Sequence, residues 1–184
     1  MVRLPFVLVW IDLEMTGLDP RRNQIVEIAT VITSDELELV ETGPDLVVQA
    51  APAILEQMEP FVLNMHTNSG LLDEIKRSTI TLQDAEDATL TFLKSNIPQS
   101  GLAPLCGNTI GTDRRFLAEQ AAAIDNFLHY RSIDVSSIKE LARRWRPEIA
   151  KGAPTKKRGH RALDDILESI EEFRYYRENF FRLS

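Results

Sequence analysis

Two carboxylates, Asp12 and Glu14, interrupt an apolar, β-branched stretch near the N-terminus, Val7-Leu8-Val9-Trp10-Ile11-Asp12-Leu13. A run this short, bounded by Pro5 and Gly17, reads as a buried strand rather than a core helix. Side chains alternate along a strand, so Asp12 and Glu14 share one face while Ile11 and Leu13 take the other. Like charges so placed repel, and burying them unpaired is costly. A hard divalent cation satisfies both, and carboxylate oxygens suit Mg2+ or Mn2+. Two further places carry acids in awkward positions. Asp113 precedes Phe116 and Leu117 by one helical turn, which puts it on a core-facing stripe. Asp164 and Asp165 follow His160, and helical periodicity leaves both off the apolar stripe without choosing between them. Singly, each has an ordinary reading: a strand-end pair beside a turn, a helix-capping acid, a loop histidine. Their convergence into one metal site is an inference from the rule that core carboxylates are paired or coordinate metal.

The elements that must position these groups alternate in a readable way. Ile25 to Thr33 is a second strand, and Leu37 to Gln49, split by Gly43-Pro44, a third in two pieces. Their short links predict an antiparallel meander. From Pro52 the pattern turns helical through Leu55, Met58, Leu71, Leu72 and Ile75, with Phe61 to Gly70 mixed in character. Thr81, with Asp84 three residues on, caps a helix over about 82–94. Leu105-Cys106 is a brief central strand, and Gly107 to Thr112 leads into one helix carrying Phe116, Leu117 and Ile124. Arg131 to Val135 is a short strand, Ser136 the cap of a helix through Trp145, and Pro147 to Gly159 a long loop. The last helix runs from near Arg161 to about Asn179, with Leu163, Ile166, Leu167, Ile170 and Phe173 inward. Strands first, then helices and strands in alternation, predict a three-layer α/β domain with a mixed sheet. One domain covers 1–184.

Charge narrows the partners. The 184 residues carry a net charge of −7, which argues against a broad electrostatic grip on long nucleic acid. A phosphate-bearing substrate must then be small, held by a few placed cations and by metal. Lys156-Lys157-Arg158, running into His160, could steer such an anion. The one cysteine excludes an internal disulfide framework, and Cys106 reads as a small buried strand residue. The apolar N-terminal run has only Arg3 as a basic flank and is broken by Asp12, so neither signal peptide nor membrane span is expected, and a cytoplasmic setting fits.

Three stretches together resemble the motifs of the DEDDh exonucleases. They are Asp12-Leu13-Glu14-Met15-Thr16-Gly17-Leu18, Asn108 to Asp113 with Arg114-Arg115-Phe116-Leu117, and His160-Arg161-Ala162-Leu163-Asp164-Asp165. The chain closely resembles one branch, the oligoribonucleases, through His66-Thr67, Ser69-Gly70-Leu71, His129-Tyr130-Arg131 and Lys139 to Trp145. The resemblance implies a ribonuclease H-like, three-layer α/β/α exonuclease fold with a mixed five-stranded sheet. It implies a 3′→5′ exoribonuclease acting on very short RNA, with Asp12, Glu14, Asp113 and Asp165 holding two divalent ions and His160 as general base. The spacing His-x-x-x-x-Asp in that family selects Asp165 and leaves Asp164 either behind the metal ligands or facing solvent. By the same carry-over, Leu18 and Phe61 resemble a wedge against the terminal bases. Thr109, Arg131 and Ser136 resemble a cap on a 5′-phosphate, with His66 and Asn108 in matched segments beside the substrate. Tyr130 resembles a tyrosine delivered by the second subunit of a homodimer. Phe61 stands where many relatives have Trp, and Thr109 where many have Ser. A DNA-proofreading exonuclease shares the same acids, and a catalytically silent nucleic-acid-binding module shares the fold; retention of all four acids and His160 speaks against the latter.

Overall fold

The acid-bearing strand is β1 (Val7–Met15). In the computed structural model, which describes residues 7–155 and 159–181, β2 (Ile25–Ser34) pairs antiparallel with one side of it, and β3 (Leu39–Val47) antiparallel with β2. On the other side β4 (Pro104–Gly107) and β5 (His129–Asp134) run parallel to β1. The five-stranded order β3-β2-β1-β4-β5 therefore puts β1 at the centre and the parallel strands to one side of it. The expected meander and mixed sheet are present. Lys156-Lys157-Arg158 lies outside the described residues.

Alternation along β1 splits the core into two layers. Val9, Ile11 and Leu13 pack with Leu93 of α4 (Leu82–Asn96), Phe116 and Leu117 of α5 (Gly111–Gln120), and Ile124 of α6 (Ala122–Phe127). Leu8 and Trp10 face the other way, onto Ala142 of α7 (Val135–Trp145) and Ala162, Ile166 and Ile170 of α9 (Ala162–Asn179). Trp10 is fully buried, and its indole N–H donates to Thr33 Oγ1 at 3.0 Å, which removes the penalty of a buried unpaired donor. Between β3 and α4 lie α1 (Pro52–Leu55), α2 (Pro60–Asn68) and α3 (Leu71–Arg77), the last seating Leu71 and Ile75 against Val26. No helix among the described residues is long and apolar enough to cross a membrane.

Several local expectations are corrected. Gly43-Pro44 does not divide β3. The strand continues through a register irregularity opposite Ala29 and Val31, because an edge strand tolerates a proline at a bulge. A Cβ at Gly43 would stand 2.5 Å from the Phe92 ring, so close helix-on-sheet packing demands glycine there. The helix expected through Ile124 breaks at Ala121, and Glu86 of α4 accepts from Ala123 N at 2.7 Å to satisfy the new helix start. β5 begins at His129 and ends at Asp134. Asp134, not Ser136, caps α7, accepting from Ser136 N at 2.9 Å; the Ser136 hydroxyl is engaged elsewhere. The Phe61 to Gly70 stretch, mixed by sequence, is mostly α2. The expected long loop opens with α8 (Pro147–Gly152), with proline at its first position, where a missing N–H costs nothing. Leu167 is exposed rather than inward, since the buried stripe of α9 runs through Ala162, Ile166, Ser169, Ile170 and Tyr176. The expected capping box of Thr81 and Asp84 is present, and Cys106 is buried.

Candidate active site

The C-terminal ends of β1, β4 and β5 point the same way, and ligands of open α/β sheets gather at such ends. Asp12 and Glu14 lie at that end of β1, on the face turned toward α9. The start of α9 comes back over them: ligand atoms of Glu14, His160 and Asp165 all lie within 4.8 Å of one another. Asp113, in the first turn of α5 and only 6% exposed, approaches from the opposite layer. Its Oδ1 accepts from Leu13 N at 3.1 Å, between Asp12 and Glu14. The three separated acid segments thus converge. Asp164 is exposed.

Burial dominates the electrostatics. It lifts the Glu14 carboxyl to about 8, with Asp165, Glu27 and Asp113 adding repulsion and Arg161 opposing. Burial likewise lifts Asp113 to about 7 against the backbone N–H groups of Asp113 and Leu13, with Asp134 adding to the rise. Carboxylate oxygens that resist ionising alone, gathered around one point, suit a hard divalent cation, and the His160 imidazole stands beside them. Glu14, His160 and Asp165 fit one.

Beneath the acids His66 is buried. Its Nε2 donates to Met15 O at 2.9 Å and its Nδ1 faces Glu14 Oε2 at 3.8 Å, while burial pushes its pKa down. Leu18 and Phe61, 71% and 76% exposed, line with Glu14 and Met65 a cavity of about 750 Å3. Phe61 also lines, with Gly159 and His160, a neighbouring cavity of about 370 Å3. His160 holds φ of 49° and Thr109 φ of 54°, a left-handed conformation that non-glycine residues adopt at a cost and that clusters at functional sites.

A second polar cluster stands at the ends of β4 and β5. Thr109 N donates to Asp134 Oδ1 at 3.0 Å and Ser136 Oγ at 2.8 Å, and the Thr109 hydroxyl lies 3.1 Å from Ser136 Oγ. Ser136 Oγ donates to Asn108 Oδ1 at 3.1 Å, and Asn108 Nδ2 donates to Ser169 Oγ at 2.9 Å and Glu172 Oε2 at 3.2 Å. Lys139 pairs with buried Glu172 at 2.7 Å. The Ser169 hydroxyl donates to Asp165 O at 2.7 Å, so this cluster and the acid cluster meet on α9. Tyr130 and Arg131 lie on edge strand β5. Tyr130 is 72% exposed, stacks on His129 at 4.5 Å, and carries the Arg131 guanidinium 4.9 Å from its ring centroid.

Sequence reasoning missed Glu27, Arg161 and Glu74. Arg161 Nε donates to Glu27 Oε1 at 2.9 Å, and its terminal nitrogens hold Glu74 through two bonds of 2.9 Å. Ala162 N donates to Glu27 Oε2 at 3.1 Å. The available signal was a lone charge inside Ile25-Val26-Glu27-Ile28-Ala29, as anomalous as Asp12 in β1.

This three-layer fold with acids at the strand ends is that of an exonuclease domain, and the Exonuclease family model, RNase_T, matches residues 9–173. The zinc-ion-bound form of an E. coli exonuclease I complex with single-stranded DNA superposes with a TM-score of 0.67 at 13% identity. It covers 95% of this chain and 41% of that one, a likeness of fold. Closer in sequence, an oligoribonuclease of Hahella chejuensis is 52% identical over 177 residues, 96% of each chain, and one of Klebsiella pneumoniae is 51% identical over the same length and shares. The chain belongs to the oligoribonuclease family of exonucleases.

Proposed function

We propose that this enzyme is a 3′→5′ exoribonuclease that hydrolyses RNAs of two to about five nucleotides to 5′-mononucleotides, with two Mg2+ or Mn2+ ions per site. The observation that carries the reading is the convergence of Glu14, His160 and Asp165 within 4.8 Å, beside Asp113 on the Leu13 amide. Asp12, Glu14, Asp113 and Asp165 would hold the ions, which when bound supply Lewis-acid activation of water and stabilisation of charge on the phosphoryl and leaving oxygens. His160, at the mouth shared with Phe61, takes the proton of the attacking water on an imidazole nitrogen, which is suited to that near neutral pH. Leu18 and Phe61 are exposed apolar groups that gain cover when the last two bases settle against them. His66 supports this floor from below by holding the Met15 carbonyl.

The opposite end of the substrate is set by Asn108, Thr109, Arg131 and Ser136. Arg131 supplies the charge that a terminal 5′-phosphate needs. Thr109 offers its hydroxyl from a strained, fixed backbone, while Ser136 and Asn108 hold that backbone in place. A closed phosphate end limits length, which agrees with a chain of net charge −7 that has no need of a long basic track. Tyr130, exposed on an unpaired sheet edge, reaches the substrate of a second copy in a homodimer. The test is turnover of a 5′-phosphorylated diribonucleotide, a 20-nucleotide RNA and a single-stranded DNA, each with Mg2+, Mn2+ or EDTA. The dinucleotide is expected to turn over fastest and only with metal. Preference for long DNA would favour the proofreading type, and binding without turnover would favour a silent module.

A further inference from the structure

The helix that brings His160 and Asp165 to the site has no cap of its own. Arg161 occupies the N-cap position of α9 and makes no side-chain capping bond, although the first N–H groups of a helix need partners. The partner comes from the sheet. Glu27 of β2, 0% exposed, accepts from Ala162 N on one oxygen and from the Arg161 guanidinium on the other. Both of its oxygens are thereby committed to the two residues that begin α9. His160 immediately precedes Arg161, and Asp165 N donates to Arg161 O at 2.9 Å, so fixing Arg161 fixes both. In the β1–β2 register Glu27 stands directly opposite Glu14. One cross-strand pair thus holds an acid of the site and the anchor of the element that faces it.

We propose that Glu27 is a positioning residue, a cap borne on the sheet that sets the first turn of α9 so that His160 and Asp165 meet Glu14. This rests on the reading of His160 and Asp165 as members of the active site. An ion pair that merely stabilised the fold would, on loss of either partner of Arg161, change stability and leave kcat and the surroundings of His160 alone. Glu74 provides that comparison, since it binds the same guanidinium through two bonds, whereas the backbone N–H of Ala162 goes to Glu27.

The experiment compares Glu27→Gln, Glu27→Asp and Glu74→Gln. Glutamine keeps the shape but cannot accept from both donors, and aspartate keeps the charge but is one methylene too short to span them. Both Glu27 variants are expected to lose roughly 10- to 100-fold in kcat on the dinucleotide, with KM within about threefold, as displaced supporting groups do. Glu74→Gln is expected to keep kcat within about twofold, since Glu27 still holds both the guanidinium and the Ala162 N–H. A readout independent of turnover comes from the three histidines, whose ring Cε1–H signals can be followed by NMR in 13C-histidine-labelled, metal-free protein. The His160 signal should move in both Glu27 variants and stay in Glu74→Gln, while that of His129 stays in all three. Should Glu27→Gln not fold, Glu27→Asp carries both readouts, and Arg161→Lys, which keeps the charge without the fork, replaces it if that too fails. An unmoved His160 signal, or equal losses of kcat in the Glu27 and Glu74 variants, overturns the proposal. If the wild-type chain proves inactive on short RNA, the NMR comparison still decides where Glu27 acts.

Discussion

Asp113→Asn separates the electrostatic cost of the site from its packing. Asparagine is nearly isosteric and its Oδ1 can still accept from Leu13 N, so the change removes a charge and little else. Burial raises the Asp113 carboxyl to about 7 from an ordinary 3.8. The folded chain therefore keeps a proton that the unfolded chain has already released, and linkage makes stability greatest at acid pH and lower as pH rises through this window. For a single group with these two values, the loss between pH 5 and pH 8 is about 2–3 kcal/mol at 1.36 kcal/mol per pH unit. In a chain of this size that is a fall in Tm of roughly 5–10 °C. Glu14, lifted to about 8, adds to the wild-type slope, and because Asp113 is one of the charges that raise it, the difference between the two proteins reports Asp113 together with its repulsion of Glu14. Thermal or urea unfolding in EDTA at pH 5, 6, 7 and 8 should show the Asp113→Asn curve flatter by that amount and the variant the more stable protein at pH 8. Added Mg2+ should stabilise the wild type, since a ligand of the folded state shifts the balance by mass action, and should stabilise the variant less. Parallel pH profiles for the two proteins would refute the argument, because a carboxyl raised chiefly by burial must report its charge in this window.

Four further outcomes follow from the same geometry. Asp12→Ala or Asp165→Ala should abolish measurable turnover with a far-ultraviolet circular dichroism spectrum like the wild type; full activity in either would remove it from the metal set. His160→Ala should lower kcat by roughly 100- to 10,000-fold, the usual contribution of a general base, while a fluorescent dinucleotide still binds, and lost binding would make the histidine structural. Arg131→Ala should weaken binding of a 5′-phosphorylated dinucleotide by roughly 10- to 100-fold, the worth of a charge-assisted hydrogen bond. The same dinucleotide without its 5′-phosphate should be affected little, and equal loss on both would dismiss the cap. Phe61→Trp should lower KM for dinucleotides by a few fold through a larger stacking face, and an unchanged or higher KM would count against the wedge.

What could be read without coordinates was what is local. Asp12 and Glu14 declare themselves because period-two alternation and a hydrophobic run fix both the strand and the shared face, and both are set within a few residues. Asp113 is legible for the same reason, since one helical turn relates it to Phe116 and Leu117. The choice of Asp165 over Asp164 was not legible from periodicity, and it needed the resemblance; in the fold, Asp165 joins Glu14 and His160 while the apolar stripe of α9 packs with Leu8 and Trp10. The errors share that cause. Ser136 looks like a helix cap, and a serine ahead of an apolar helix usually is one, but Asp134 sits two residues earlier at the end of β5 and takes the amide, which frees the Ser136 hydroxyl for Asn108. The break at Ala121 is invisible in Gln120-Ala121-Ala122-Ala123 because its partner, Glu86, lies 37 residues away. Glu27 caps a helix that begins 135 residues later. Helix starts in this chain are repeatedly satisfied by carboxylates from other elements, so their boundaries and orientations depend on tertiary structure. A lone acid in an apolar strand is the sequence trace such a device leaves. Glu27 finds its compensating charge in Arg161, 134 residues away, and nothing in the strand's own sequence announces that partner.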